Sequence, residues 1–261
     1  MQRRLKIPAG PPVIGRLFER LSNRFGPQRW WPADSAWEMM VGAILTQNTA
    51  WTNVEKALAE LKRAGALSRP ALARVNRRRL EKLIRSSGYF RQKAERLQNF
   101  AREMTRDPGF FRQLTRSGKW TSHSNRARRF RGGSRRDAAL LRSRLLALKG
   151  IGPETADSML LYAGAYPVFV VDAYTRRIGR RMGFFQTDDY DEVQTFFERS
   201  FRRGAAAYNE FHALLVRLAK ENCTKRHPAC RACVVRDLCA HGKNSKNEKN
   251  NASVFRPDDE P

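Results

Sequence analysis

Residues 140–163 read LLRSRLLALKGIGPETADSMLLYA. An apolar helix is expected to run to Leu148, after which Gly150-Ile151-Gly152 turns the chain tightly and Pro153 opens a second helix. Proline suits a first helical position, because the N–H it lacks has no intrahelical partner there. Gly150 and Gly152 let a ligand approach the backbone closely, and the amides that open the second helix, near Glu154 and Thr155, attract anions. A lone G-x-G between two helices is equally well just a turn, so the surrounding chain has to decide.

Charge is the first arbiter. The 261 residues carry 51 Lys+Arg against 25 Asp+Glu, a formal net charge of +26. Arginine dominates, and its planar fork suits phosphate better than a point ammonium does. A chain this basic points to nucleic acid as partner, with binding that weakens as salt rises. No apolar run approaches the roughly 20 residues of a membrane span. The basic N-terminus lacks the apolar stretch of a secretory signal, so a cytoplasmic, nucleoid-associated protein is expected.

Helical periodicity recurs along the chain, over 14–21, 37–45, 54–61, 80–84, 93–104, 140–148, 155–162 and 211–218, and long strand-like alternation is absent. The fold class read from this is all-α, with about ten short helices. Residues 1–12 read as a loose arm and 241–261 as a disordered tail. Residues 115–137, rich in Arg, Ser and Gly, read as a basic loop that either grips DNA or is simply solvated.

All four cysteines fall in one stretch, Cys223-x6-Cys230-x2-Cys233-x5-Cys239. A secreted disulfide framework would spread its cysteines through the chain, whereas four thiols in one short loop suggest a metal site. Spacing alone leaves iron–sulfur and zinc open, since structural zinc favours paired C-x2-C knuckles and a cubane tolerates uneven spacing. Upstream, the apolar run Val168-Phe169-Val170-Val171 delivers Asp172 to the start of a helix. Aspartate there is also a favoured N-cap, so its residue type does not settle its role.

Together these pieces resemble the endonuclease III-like superfamily of helix-hairpin-helix DNA glycosylases. The resemblance rests on Leu148–Ala156 as hairpin, Val171-Asp172 as catalytic motif, Leu45-Thr46-Gln47-Asn48-Thr49 as DNA-intercalating segment, and the four-cysteine loop. It implies a [4Fe-4S] cluster on Cys223, Cys230, Cys233 and Cys239. It implies a central helical lobe over 33–167, and a second lobe joining 13–32 to 168–240, with the active site in the groove between them. The partner implied is double-stranded DNA with a damaged base, bound by a monomer. Members that also cut the backbone carry a lysine two residues after the second glycine of the hairpin. Here that residue is Glu154, which cannot form an imine, and Lys149 precedes the turn. A monofunctional glycosylase follows, with Asp172 activating water and stabilising positive charge on the sugar.

Within that superfamily the chain is most similar to the 3-methyladenine glycosylases, on Trp30-Trp31-Pro32, on Gln47-Asn48-Thr49-Ala50-Trp51 and on Ser87–Ala94. A cationic N3-alkylated purine stacked between Trp31 and Trp51 would gain about 0.5–2 kcal/mol of cation–π attraction. Trp37 reads as core, and His212 as an interior histidine with satisfied hydrogen bonds. Aromatic-pocket relatives lack the four-cysteine loop, so the chain joins features of two branches. Two other readings remain at this point: a bifunctional glycosylase/lyase for oxidised pyrimidines, and a non-catalytic module that binds damaged DNA.

Overall fold

A computed structural model describes residues 11–115 and 133–244, with the side chains of residues 11 and 12 not described. Much of the segment expected as a basic loop, most of the expected arm and most of the expected tail lie outside the described residues. The described chain is helical throughout, with no strand among the described residues. It divides into two compact units, one of residues 11–30 and 169–244, the other of residues 31–115 and 133–168.

The second unit is built around α2 (Ala36–Leu45), whose residues Trp37 to Leu45 are all buried. Around it lie α3 (Trp51–Arg63), α4 (Arg69–Arg74), α5 (Arg77–Leu83), α6 (Phe90–Arg106), α7 (Pro108–Leu114), α8 (Arg135–Leu146) and α9 (Pro153–Ser158). Trp37 is core, as expected: its ring stacks on Phe100 at 5.5 Å and its indole N–H donates to the Leu67 carbonyl. Helix starts follow local chemistry. Ser35, Ser68, Asn76 and Asp107 each accept from a first-turn amide, and Ser134 forms a capping box with Asp137.

Two charged groups are buried here with partners. Lys93, 1% exposed, donates from Nζ to the carbonyls of Leu45 at 2.8 Å and Ser87 at 2.6 Å. A cation at the last carbonyl of α2 also complements the helix dipole. Burial, with Arg96 nearby, pushes its amine down to about 8. Asp157 is fully buried and accepts from Arg142 Nε at 2.9 Å.

The first unit packs α1 (Pro11–Phe25) and α10 (Ala173–Met182) on α12 (Ala205–Glu221), with α11 (Tyr190–Ser200) beside them and α13 (Ala240–Asn244) on α10. Its centre is aromatic. Phe169 stacks on Phe197 at 4.6 Å, and Phe211 meets Phe201 at 4.9 Å and Phe18 at 5.5 Å in tilted or edge contacts.

Several boundaries differ from the sequence reading. Helix α1 starts at Pro11, inside the expected arm, since proline is tolerated in a first turn. Residues 135–137 belong to α8, because the Ser134 capping box starts a helix within the expected loop. Residues 241–244 lie in α13 rather than in a tail. The single helix expected over 155–162 is α9 followed by a wide π-type turn over Met159–Ala163. Helices α4, α7 and α11 went unread because the first two are only one or two turns long and show too little periodicity. Their cap-plus-proline starts, Ser68-Arg69-Pro70 and Asp107-Pro108, were the available signal.

Replacing Arg142 with Met removes an ion-pair partner from the buried Asp157 carboxylate. A loss of up to about 3–5 kcal/mol is expected, read as a lowered urea midpoint at unchanged slope.

Candidate active site

Asp172 stands at the N-cap of α10, and both sequence readings of it meet in one side chain. Oδ1 accepts from the Thr175 amide at 2.6 Å, while Oδ2 faces His212 Nε2 at 3.4 Å. The cap therefore occupies one oxygen and aims the other. Three side chains of α11, spaced one turn apart, fix the extended segment before it. Tyr190 Oη accepts from the Val171 amide at 3.3 Å, Gln194 Nε2 donates to the Phe169 carbonyl at 2.7 Å, and Glu198 Oε1 accepts from the Phe169 amide at 3.0 Å. A helix face thus supplies the hydrogen bonds a neighbouring strand would otherwise give.

Burial by itself would push the Asp172 carboxyl up. The His212 imidazole and the Thr175 amide outweigh that and hold it below the ordinary carboxylate range. His212 is interior, as the sequence reading expected, at 5% exposure. Its neighbour is the carboxylate itself, which the sequence reading did not foresee.

The hairpin occupies the other unit. Gly150 has φ +87°, a left-handed conformation that favours glycine, and Ile151 donates back to the Leu148 carbonyl at 3.0 Å. Gly152 precedes α9 as its N-cap, and Glu154 is exposed on the first turn. Thr155, read as a phosphate ligand, is buried, and its hydroxyl accepts from Gln47 Nε2 at 2.9 Å. Lys149 is exposed and ion-paired with Glu95 of α6 at 2.8 Å.

The tryptophans differ from expectation. Trp31 is 8% exposed and meets Trp51 edge to face, with ring centroids 5.1 Å apart and planes at 87°, while Tyr162 packs on Trp31 at 5.4 Å. Rings in that arrangement gain quadrupole attraction from each other and leave no slot for a base between them. The sandwich expected between Trp31 and Trp51 is therefore not formed. Trp51 is half-buried and Pro32 exposed. Trp30, half-buried, falls in the unit that holds Asp172.

One residue was missed. Tyr89, 64% exposed, has φ +44° at the start of α6. A bulky residue in the left-handed region is uncommon and strained. Asn48, also exposed, has φ +52°. Only the glycine at position 88 hinted at an unusual turn beside Tyr89.

The four cysteines are free thiols lining a single apolar cavity of about 30 Å³, with Ile178, Met182 and Val235 in its wall. Arg177 and Arg181, one turn apart on α10, gather the start of this loop. Arg177 Nε donates to the Cys223 carbonyl at 2.9 Å, and Arg181 Nη1 reaches the Cys223 Sγ at 3.1 Å and the Thr224 carbonyl at 2.7 Å. Burial pushes the Cys233 thiol up to about 11 and raises Cys239 as well. Among the described residues, no three His, Cys, Asp or Glu side chains form a group placed to hold a metal ion. Among the described residues, no helix is long and apolar enough to cross a membrane.

The family model for the HhH-GPD superfamily base excision DNA repair proteins matches residues 41–203. A Methanocaldococcus jannaschii protein named as a DNA repair glycosylase is 36% identical over 87% of this chain and 96% of its own length. Endonuclease III of Thermotoga maritima is 24% identical over 87% of this chain and 92% of its length. Among solved structures, the 3-methyladenine DNA glycosylase of H. pylori bound to 1,N6-ethenoadenine superposes with a TM-score of 0.64 at 28% identity. The superposition covers 80% of this chain and 97% of that one. A trapped endonuclease III–DNA covalent intermediate shares the fold, with a TM-score of 0.69 at 19% identity over 89% of this chain and 97% of that one.

Because its folded-state value is depressed, Asp172 stays ionised through neutral pH and stabilises the fold there. That contribution is lost only as pH falls through the depressed value, below the ordinary carboxylate range. In single-turnover base release, the acid limb belonging to this group is expected below the ordinary carboxylate range. His212→Phe should move that limb to higher pH.

Proposed function

Given that this chain belongs to the HhH-GPD superfamily of base excision DNA repair proteins, we propose that this DNA N-glycosylase hydrolyses the bond between sugar and an alkylated purine such as 3-methyladenine, and leaves the backbone uncut. The observation that carries the reading is Asp172, with one oxygen fixed as a cap and the other turned to His212 in a largely buried site. In the proposed reaction the damaged nucleotide is extruded from double-stranded DNA. The Asp172 carboxylate takes a proton from a water molecule and stabilises the cationic sugar as the C1′–N bond breaks. The water oxygen bonds to C1′, and a cationic N3-alkylated purine leaves as the neutral base. Such a base is already a good leaving group and needs little acid assistance.

Base release without strand cutting is supported by the amines. Glu154 stands where lyase chemistry needs a lysine, and Lys149 is held by Glu95. Lys93 is the remaining amine of note, because a depressed value is what an imine-forming lysine needs. Its Nζ is engaged by the Leu45 and Ser87 carbonyls inside the core, which removes it from a sugar.

Hairpin residues Gly150 and Gly152 and the first turn of α9 would hold a backbone phosphate without reading sequence. Exposed Tyr89, on a left-handed residue, offers a flat ring for an unstacked base, a contact worth roughly 1–3 kcal/mol per base. Trp51, the more accessible ring of its pair, is the better candidate to face a flipped cationic base.

The cysteine loop suits a [4Fe-4S] cluster. Four unevenly spaced thiols line one apolar cavity, an arrangement a cubane tolerates, whereas structural zinc favours paired C-x2-C knuckles. Cys223, Cys230, Cys233 and Cys239 would be the ligands. When bound, the cluster would supply a rigid cross-link of the loop. Through Arg177 and Arg181, this chain couples that loop to the helix that begins at Asp172.

Asp172→Asn keeps an N-cap acceptor and removes the base. Release of alkylated purines, identified by mass, should fall about 10²–10⁴-fold while duplex binding persists. Borohydride should trap no covalent adduct on abasic DNA, and an adduct would restore the lyase reading.

The purified protein should carry iron and acid-labile sulfide with broad visible absorbance. Cys230→Ser should lose both, and a colourless protein with stoichiometric zinc would remove the cluster.

A further inference from the structure

Gln47 lies in the segment resembling an intercalating one, yet its carboxamide is fully used inside the protein. Oε1 accepts from Arg96 Nη1 at 2.5 Å, while Nε2 donates to the Gly150 carbonyl at 3.0 Å and to Thr155 Oγ1 at 2.9 Å. A side chain with both ends of its amide bonded would have to break a charge-assisted hydrogen bond and two neutral ones to enter a base stack.

Arg96 is fitted to this task. A Cβ placed on Gly150 would lie 2.5 Å from Arg96 Cγ and 2.6 Å from its Cδ and Nε. The arginine stem thus runs across the bare Cα of the hairpin turn, so Gly150 is needed for that path as well as for its φ of +87°. One turn earlier on α6, Lys93 holds the Leu45 carbonyl where α2 ends. Helix α6 therefore grips the segment leaving α2 twice, at its backbone by Lys93 and at Gln47 by Arg96. The next residue, Asn48, is exposed with φ +52°.

We infer that Gln47 and Arg96 are positioning residues, a tie that fixes the 46–50 loop against the hairpin turn, and that Asn48 rather than Gln47 is the residue this loop presents to DNA. A phosphate gripped at the hairpin then sets where Asn48 stands, which couples DNA binding to base extrusion. The inference rests on the proposed base-removal function but not on the identity of the base.

The test uses the full-length protein and two duplexes. One carries an alkylated purine for single-turnover release. The other carries a stable abasic-site analogue beside 2-aminopurine, whose emission reports unstacking whatever base the enzyme prefers. Gln47→Ala and Arg96→Ala should each lower the release rate about tenfold, as expected for a lost charge-assisted hydrogen bond, and more than they lower duplex affinity. Each should also weaken the 2-aminopurine signal. The double variant should be no worse than either single within about twofold, since the two act as one unit. Gln47→Glu keeps the acceptor for Arg96 and loses the donor to Gly150, so an intermediate effect is expected even if the alanine variants fold poorly. Asn48→Ala should abolish most of the 2-aminopurine response without coupling to Arg96. An Arg96→Ala protein with parental rate and emission, effects of Gln47 and Arg96 that multiply, or Gln47→Glu matching the parent would overturn the tie. Parental protein silent on alkylated DNA but showing these emission changes would sink the substrate reading and leave the tie standing.

Discussion

Asp172 commits one carboxylate oxygen to the Thr175 amide, and whatever holds that oxygen also aims the other. The extended segment before it has no strand partner, so its backbone groups depend on Tyr190, Gln194 and Glu198 along one face of α11. Phe169 closes the arrangement from beneath by stacking on Phe197 of the same helix. A buried carboxylate is costly unless charge and hydrogen bonds offset it. Here His212 and the helix start do so, and the mostly buried carboxylate stays ionised.

The same economy recurs wherever a helix ends near something functional. Lys93 satisfies the last carbonyl of α2, Gln47, held by Arg96, satisfies the Gly150 carbonyl of the hairpin turn, and Arg177 with Arg181 satisfies carbonyls at the start of the cysteine loop. In an all-α protein these termini carry the orphan backbone groups. Long side chains from a neighbouring helix can serve them and fix a loop's position at once. Arg96, Arg177 and Arg181 are therefore engaged inside the structure, and net charge alone does not separate such residues from ones that could meet phosphate.

Periodicity made the long helices legible, including α2, α6 and α12, because each buries a continuous apolar face. The hairpin was legible because glycine and proline have positional meaning that survives without context. Short helices such as α4 and α7 were not, since one or two turns cannot establish a period. The tryptophans show a different limit. Sequence placed Trp31 and Trp51 near each other, but whether they flank a slot or touch depends on ring orientation, which follows from how α3 packs on α2. Tyr89 was invisible as a candidate because its significance lies in a backbone angle.

The sequence by itself determined the all-α class, the glycine turn, the cysteine spacing and the position of Asp172 at a helix start, since each depends on residues near one another in the chain. The absence of an imine-forming lysine from the hairpin is equally local. Only tertiary structure decided that Asp172 faces His212, forty residues on, or that Thr155 turns to Gln47 rather than outward. The same holds for Gln47, read as a reaching side chain and found bound on all sides. Hydrogen-bond partners far apart in the chain are chosen by packing, and packing is not written at any one position.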